Sequence, residues 1–268
     1  MLPRSYLFVP GNRPERFNKA AQSGADAIIL DLEDAVPVAD KVSAREHIRS
    51  WLLAGGSGYV RVNAAGTEWH DDDVRALAGL PNLSGIVLPK AEQPEVLHRV
   101  AEELHSTAIL LPLIESANGF GYLQQICNAP KVQRLLFGTL DFQVDMQMRG
   151  TGNELLFFRS QLTLASRLAG IGSPVDGVTT AIDDARPVSQ DTTEARNLGF
   201  GGKLCIHPKQ VTAVHAAFSY TQDEYDWAKR VMEAVQTSAG AATTVDGKMV
   251  DNPVIQSAQR IIDRMSIA

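Results

Sequence analysis

The chain has 268 residues, 44% of them hydrophobic, which suits one barrel-sized domain with a short extension better than two ordinary domains. It carries 25 basic and 31 acidic side chains, so a net charge of −6 offers no basic surface for nucleic acid or an anionic membrane. Two cysteines without metal-ligand spacing, Cys127 and Cys205, together with no leader-like or long apolar segment, lead us to expect buried thiols in a cytoplasmic protein.

Short apolar runs, most of them too short for a helix, alternate with helical spans along the chain. The predicted strands comprise residues 6–9, 27–30, 59–62, 85–88, 109–114, 135–137, 174–178 and 202–206. Eight such runs at regular spacing predict an α/β fold, a (β/α)8 (TIM) barrel, which we assign to residues 1–220. An open doubly wound sheet is the alternative, but no Gly-x-Gly-x-x-Gly pattern follows the first strand.

Two of these runs, within residues 109–145, are each followed at once or nearly so by a carboxylate. Glu115 follows the fifth predicted strand, and Asp141 lies 26 residues later, just after the sixth. Because this spacing is about one strand–helix repeat, the two acids are expected at neighbouring strand ends, where an all-oxygen site suits Mg²⁺ better than zinc. In the alternative interpretation, Glu115 caps the following helix and Asp141 opens a turn.

Three more acids, Asp31, Glu33 and Asp34, lie at the end of the second strand. These acids form either a solvated, helix-capping turn or a site that demands a cation, because clustered carboxylates raise one another's pKa. On the second interpretation, we place Glu33 and Asp34 with the substrate-binding residues. Arg61 lies inside the third strand between two valines. It needs an anionic partner, which is either a substrate carboxylate or developing oxyanion, or one of the acids in a structural ion pair.

Two other strand-end residues favour structural interpretations. Lys90 is expected to pair with Glu33 or Asp34, and His207 is either a general base or a hydrogen-bonded structural residue before Pro208. No Cys–His or Ser–His–Asp signature is recognisable. The residues alone therefore predict a metal-dependent barrel enzyme that handles a small carboxylate, by aldol-type cleavage, hydrolysis or phosphoryl chemistry.

The segment after the eighth strand exceeds what barrel closure needs. Helices are predicted at residues 223–238 and 253–265, and the turn Val245-Asp246-Gly247-Lys248 between them is typical of a hairpin. The last helix has an apolar stripe at helical spacing. We therefore assign residues 221–268 to a C-terminal lid that packs on the barrel or on a neighbouring subunit.

Longer motifs run in order through nearly the whole chain. They are Leu7-Phe8-Val9-Pro10-Gly11-Asn12-Arg13-Pro14, Leu30-Asp31-Leu32-Glu33-Asp34-Ala35-Val36, Leu88-Pro89-Lys90, Ile114-Glu115-Ser116-Ala117, Ile206-His207-Pro208-Lys209-Gln210 and Asp246-Gly247-Lys248-Met249-Val250-Asp251. This series resembles the citrate lyase β-subunit family, which is grouped with malyl-CoA lyases and other HpcH/HpaI-type aldolases.

The resemblance implies roles for the acids and the arginine. Residues matching Glu115 and Asp141 bind Mg²⁺, and the one matching Arg61 contacts the oxo acid or its developing charge. Backbone amides around Gly138, Thr139 and Leu140 are expected to hold a substrate carboxylate.

The resemblance also implies a coenzyme A path and an assembly. Positions matching Phe8, Arg13 and Lys19 lie along that path in malyl-CoA lyases. Family members form trimers or hexamers, and a C-terminal lid brings the aspartate matching Asp251 to a neighbouring active site as the acid or base.

These expectations predict a Mg²⁺-dependent carbon–carbon lyase. It would cleave a 3-hydroxy-dicarboxylic acyl-CoA thioester, such as malyl-CoA or citramalyl-CoA, into acetyl-CoA and a 2-oxo acid. The alternatives are a citrate lyase β subunit acting on a citryl thioester of an acyl-carrier protein, a malyl-CoA thioesterase, and a non-catalytic paralogue.

Overall fold

The computed structural model describes residues 2–150, 152–238 and 243–267. Eight parallel strands close into a barrel in sequence order, with β1 hydrogen-bonded to β8, which confirms the predicted (β/α)8 fold. The strands are β1 (Ser5–Pro10), β2 (Ala27–Asp31), β3 (Gly58–Arg61), β4 (Leu83–Leu88), β5 (Ile109–Ile114), β6 (Arg134–Phe137), β7 (Gly172–Asp176) and β8 (Gly202–Cys205).

Strand bounds differ from the predicted ones by two residues or fewer. The main shifts are in β4, which begins two residues before Gly85, and in β7, which ends at Asp176 and leaves Val178 beyond the strand. The ends of these strands contain small and polar residues, so they are not recognised from sequence. An apolar run indicates only the part of a strand that is buried on both faces.

Helices follow the strands and cover the outside of the barrel. They are α1 (Phe17–Ala21), α2 (Lys41–Leu53), α3 (His70–Leu77), α4 (Pro94–Glu103), α5 (Ala117–Gly121), α6 (Leu123–Cys127), α7 (Thr139–Asp145), α8 (Leu156–Leu168), α9 (Ala185–Asn197) and α10 (Val211–Phe218). The segment between β5 and β6 thus contains two short helices, separated at Tyr122.

Side chains alternate between the barrel interior and the surrounding helices. Ile29, Tyr59 and Leu113 point inward and belong to the interior cluster. Since strand side chains repeat every two residues, the residue two positions after each of these also points inward, but at the carboxyl-terminal mouth. Those three residues are Asp31, Arg61 and Glu115.

A buried arginine closes the opposite end of the barrel. Arg134, at the start of β6, is fully buried. Its guanidinium donates from Nε to the carbonyl of Ser173 at 2.7 Å and from Nη1 to the carbonyl of Pro3 at 2.8 Å. Arg134 therefore links the segment before β1 to β7 at the amino-terminal ends of the strands.

The chain divides into two compact units, Met1–Phe218 and Ser219–Ala268. The second contains α11 (Gln222–Thr237), an antiparallel hairpin of β9 (Thr243–Val245) and β10 (Lys248–Val250), and α12 (Asn252–Ile267). Its core holds Ala228, Val231, Ala258 and Ile261. No helix in the described part of the chain is long and apolar enough to cross a membrane.

Candidate active site

A cavity of about 350 Å³ opens at the carboxyl-terminal mouth of the barrel. Among the predicted site residues, it brings together Phe8, Asp34 and Arg61 from the first three strands and loops with Glu115 and residues 138–141 from β5 and β6. Ligands and catalytic groups collect at this end of such barrels, because the loops that follow the strands converge there.

Arg61 is held by Asp31, its neighbour in register on the adjacent strand. Nε and Nη2 of Arg61 donate to the two carboxylate oxygens of Asp31, each at 2.6 Å. The same carboxylate accepts the backbone N–H groups of Glu33 and Ala35, each at 3.0 Å. The structural ion pair left open by the sequence is therefore present, and it fixes the plane of the guanidinium.

The surroundings of Arg61 keep it charged and oriented. Burial lowers the pKa of Arg61, but the charge and hydrogen bonds of Asp31, followed by the charge of Glu33, outweigh burial and raise it. Phe8 lies against the guanidinium, with 4.8 Å between the ring centre and Cζ. Arg61 is thus a preoriented, permanent cation in the cavity.

The acidic loop after β2 lies against the same arginine. Nη1 of Arg61 is 2.9 Å from Glu33 and 3.5 Å from Asp34. Oε2 of Glu33 is buried and makes this ion pair without hydrogen-bond geometry. Burial, followed by the charges of Asp34 and Asp31, raises the pKa of Glu33 to about 7 despite Arg61. Lys41 holds the loop from behind by donating to the carbonyls of Leu32 and Glu33, both at 2.8 Å.

Glu115 is buried and anchored by backbone. Its Oε1 accepts the N–H of Lys90 at 2.7 Å, where Lys90 has a left-handed φ of 46°. Burial, with the charges of Glu33 and Asp141, raises the pKa of Glu115 to about 8. Ser116, rather than Glu115, caps α5 by accepting the N–H of Gly119. The capping interpretation of Glu115 is therefore wrong, and its carboxylate faces the cavity.

Asp141 lies in the first turn of α7, a helix that the sequence did not predict. Gly138 is the N-cap residue of this helix, and its N–H donates to the carbonyl of Ile114 at 2.9 Å. Thr139 is buried, whereas Leu140 and Asp141 are exposed at the mouth. This turn places Asp141 beside the cavity wall that contains Glu115.

The donor set of the mouth fits Mg²⁺. Glu115 and Asp141 are oxygen donors, and burial, followed by the charges of Glu33 and Asp141, raises the pKa of Glu115, so a bound divalent cation would stabilise its ionised form. No group of three His, Cys, Asp or Glu residues in the described ranges is arranged to hold a metal. The remaining ligands would then be substrate oxygens and water, since Mg²⁺ usually binds through one or two carboxylates and keeps several waters.

The structure also tests the structural interpretations of Lys90 and His207. Glu33 and Asp34 pair with Arg61, and no ion pair within 4 Å joins Lys90 to either acid among the described residues. The charge of Lys90 lowers the pKa of Glu33 at longer range, and its backbone N–H binds Glu115. His207 caps the short 3-10 helix Pro208–Gln210, where Nδ1 accepts the N–H of Lys209. The structural interpretation of His207 thus agrees with its contacts.

Four predicted residues lie outside the cavity lining, and one of them, Glu33, contacts the lining residue Arg61. Arg13 and Lys19 are exposed after β1, and Arg13 is 3.9 Å from Glu15. Asp251 is exposed in the second unit, and its Oδ1 accepts the N–H of Val254 at 3.2 Å in the first turn of α12. The roles given to these residues by the resemblance stay predictions.

A TIM barrel with paired carboxylates and a fixed arginine at its mouth has the architecture of a barrel enzyme with an acidic active site. Residues 4–208 match the model of the HpcH/HpaI aldolase/citrate lyase family, and residues 175–267 match that of the carbon–carbon bond lyases of the TIM-barrel fold. The chain belongs to the HpcH/HpaI aldolase/citrate lyase family.

Curated relatives and solved structures match nearly the whole chain. A citrate lyase subunit beta-like protein of Deinococcus radiodurans is 35% identical over 97% of this chain and 96% of its own. A (3S)-malyl-CoA thioesterase of Cereibacter sphaeroides is 32% identical over 97% and 93%. The structure of CitE from Mycobacterium tuberculosis with magnesium, acetoacetate and coenzyme A has a TM-score of 0.87 and 31% identity, covering 98% of both chains.

Proposed function

We propose that this protein is a Mg²⁺-dependent carbon–carbon lyase acting on a 3-hydroxy-dicarboxylic acyl-CoA thioester, such as malyl-CoA or citramalyl-CoA. The observation that carries the proposal is the convergence of Glu115, Asp141 and the fixed guanidinium of Arg61 on one cavity. The M. tuberculosis relative, with magnesium, acetoacetate and coenzyme A bound, supports the same ligand classes for this chain.

Glu115 and Asp141 would hold the metal, and the backbone N–H of Lys90 orients the Glu115 carboxylate for this role. When bound, Mg²⁺ supplies Lewis-acid polarisation of the oxo-acid oxygen. Backbone amides around Gly138, Thr139 and Leu140 would hold the substrate carboxylate at the same wall. Glu33 and Asp34 would act on the substrate mainly through Arg61, which both acids contact.

Cleavage moves an electron pair into the acetyl thioester. The hydroxyl proton passes to water at the open mouth, the carbinol becomes the carbonyl of the 2-oxo acid, and the electron pair of the broken carbon–carbon bond forms the enolate. Asp31 engages the N–H on Nε and one N–H on Nη2 of Arg61, and Nη1 lies 2.9 Å from Glu33, so the second N–H on Nη2 would stabilise the enolate oxygen. Asp251 would then protonate the enolate carbon.

The thioester arm would leave the cavity past Phe8, towards exposed Arg13 and Lys19. These cations suit the phosphates of coenzyme A. The second unit would act as a lid in a homotrimer or hexamer, and Asp251 would reach the site of a neighbouring subunit.

The proposal is tested by incubating the purified protein with Mg²⁺ and malyl-CoA or citramalyl-CoA and identifying the products. A lyase yields acetyl-CoA and a 2-oxo acid, which lactate dehydrogenase or a hydrazine reagent detects. No cleavage with either thioester, in a sample shown to bind Mg²⁺, would refute the proposal.

A thioesterase is the second candidate, because a (3S)-malyl-CoA thioesterase is similar over nearly the whole chain. It would release free coenzyme A and malate, so thiol titration without oxo-acid formation separates the two activities. A citrate lyase β subunit would require the citryl group on an acyl-carrier protein, and a non-catalytic paralogue would bind Mg²⁺ without turnover.

A further inference from the structure

The cavity has one charged side and one apolar side. All charged side chains follow or belong to β2, β3, β5 and α7, and Phe137 and Leu140 also line the cavity on this side. Only apolar side chains, among them Val178, Ile206 and Phe8, line it from β7, β8 and β1. Because these three strands are consecutive around the closed barrel, the apolar residues form one continuous wall. Leu113 and Leu204, both buried in the interior cluster of the barrel, line the base of the cavity.

Charge in this cavity is strongly unbalanced. Its lining contains four carboxylates, Asp31, Asp34, Glu115 and Asp141, and Arg61 is the only cation among the described lining residues. That arginine is already engaged by Asp31 and Glu33. A divalent metal and one substrate carboxylate suit this balance, but a further carboxylate finds no second cation in the lining.

The carbinol carbon of the substrate has four substituents to place. Its hydroxyl and carboxylate belong with the metal ligands and the 138–141 turn, and its thioester methylene leads to the open mouth. The fourth substituent is then left to face the apolar wall and the leucine base. An ionised group there would lose water without gaining a partner, whereas a hydrocarbon group would be favoured.

We infer that the fourth substituent is a small alkyl group, with methyl preferred over hydrogen, and that a carboxymethyl group is rejected. The 2-oxo acid released is therefore a monocarboxylate of the pyruvate type and not a dicarboxylate of the oxaloacetate type. This inference rests on the proposed lyase function and narrows its substrate class.

The first test compares citramalyl-CoA, malyl-CoA and citryl-CoA with the purified protein and Mg²⁺. The ratio kcat/KM is expected to be highest for citramalyl-CoA and about 10- to 200-fold lower for malyl-CoA, the range for one missing methyl-sized group. For citryl-CoA it is expected to be at least roughly 100-fold below citramalyl-CoA. If kcat/KM for citryl-CoA equals or exceeds that for citramalyl-CoA, the inference is wrong but the lyase proposal stands.

Direct binding separates failure of the inference from failure of the lyase proposal. Pyruvate, 2-oxobutyrate and oxaloacetate are titrated into the Mg²⁺-loaded protein by calorimetry. Tighter binding of the two monocarboxylates supports the inference even if no thioester is cleaved. Tighter binding of oxaloacetate contradicts it.

A positive charge introduced into the apolar wall tests whether the fourth substituent faces it, and the same charge outside the cavity is the control. Ile206 is 39% exposed and lines the cavity, whereas Ile182 is 42% exposed and does not line it. Ile206→Arg is expected to raise the affinity for oxaloacetate relative to pyruvate at least tenfold, and Ile182→Arg is expected to leave this ratio unchanged. An unchanged ratio in Ile206→Arg, with Mg²⁺ binding retained, would show that the substituent does not face this wall.

Discussion

Gly138 lies against the carboxylate of Glu115, so that a Cβ at Gly138 would fall 2.6 Å from Oε2 and 2.7 Å from Cβ of Glu115. Glycine at this N-cap position of α7 therefore gives Glu115 the room to face the cavity. The glycine has no unusual backbone conformation, so its side-chain volume is the constraint.

Replacing this glycine should displace Glu115, the proposed metal ligand, without unfolding the barrel. In Gly138→Ala, the added methyl group forces Glu115 to move, and Mg²⁺ affinity measured by calorimetry is expected to fall at least roughly tenfold. Gly79→Ala is the control, because a Cβ there meets no atom within 4 Å. Unchanged Mg²⁺ affinity in Gly138→Ala would mean that Glu115 does not bind the metal.

Removing either proposed metal ligand should have a similar effect. Glu115→Gln and Asp141→Asn keep side-chain size but each lose one anionic oxygen, so both variants should fold and lose most Mg²⁺ binding and activity. Glu103→Gln serves as the control, because Glu103 is exposed at the end of α4 and does not line the cavity. Wild-type turnover of either ligand variant at limiting Mg²⁺ would refute the assignment.

The stability of the metal-free protein should depend on pH through Glu115. Its pKa is about 8 in the fold, against about 4.3 in an unfolded chain, so the folded state binds the extra proton between these values. Stability without metal should therefore be greatest below this window and fall as the pH rises through it, and Glu33, with a pKa of about 7, adds to the same trend.

Thermal melting in EDTA from about pH 5 to about pH 9 measures this dependence. The slope should become shallower in Glu115→Gln, and Mg²⁺ should restore stability at the alkaline end, where both acids are charged. A melting temperature that rises steadily across this range in EDTA would contradict the pKa values behind the prediction.

Arg61 and Asp31 should act as one unit. Arg61→Lys keeps the charge but loses the planar pairing with Asp31, and kcat is expected to fall roughly 100-fold or more. Asp31→Asn leaves Arg61 in place without its bidentate acceptor, so kcat should fall more than KM rises, and Asp31→Glu should restore part of the loss. In the double variant Asp31→Asn/Arg61→Lys, the two losses should be far from additive. Additive losses would show that Asp31 and Arg61 act independently. A change confined to KM would make Arg61 a simple binding residue.

Mixing two inactive variants tests the proposed lid. Asp251→Asn should bind Mg²⁺ normally but be nearly inactive, and Glu115→Gln should lack the metal. If Asp251 acts in a neighbouring site, subunit exchange should restore part of the activity, because some sites then combine an intact metal centre with an intact Asp251. Failure to complement, despite exchange shown by mass spectrometry, would place Asp251 over its own barrel or outside the chemistry.

The barrel and its acids were predictable because both follow from periodic patterns. Short apolar runs mark doubly buried strands, and residues directly after them, such as Glu115, lie at the mouth in any barrel of this type. The pairing of Arg61 with Asp31 was harder to predict from the sequence. It depends on the register between β2 and β3, for which the sequence has no local signal.

Other features of the site depend on contacts between distant segments. The N–H of Lys90 reaches Glu115 only because β4 and β5 are neighbours, and Gly138 approaches the same carboxylate from β6. Helix α7 was missed because its seven residues directly follow a strand end and lack a side-chain N-cap. Such short elements are determined by tertiary packing more than by propensity.

The hydrogen bond from Arg134 to the carbonyl of Pro3 has a practical consequence for handling the protein. A buried guanidinium that loses an acceptor costs folding free energy, so shortening the chain past Pro3 should lower expression yield and melting temperature. Purification tags and fluorescent labels at the amino end therefore need a flexible spacer that leaves residues 2–5 in their native path.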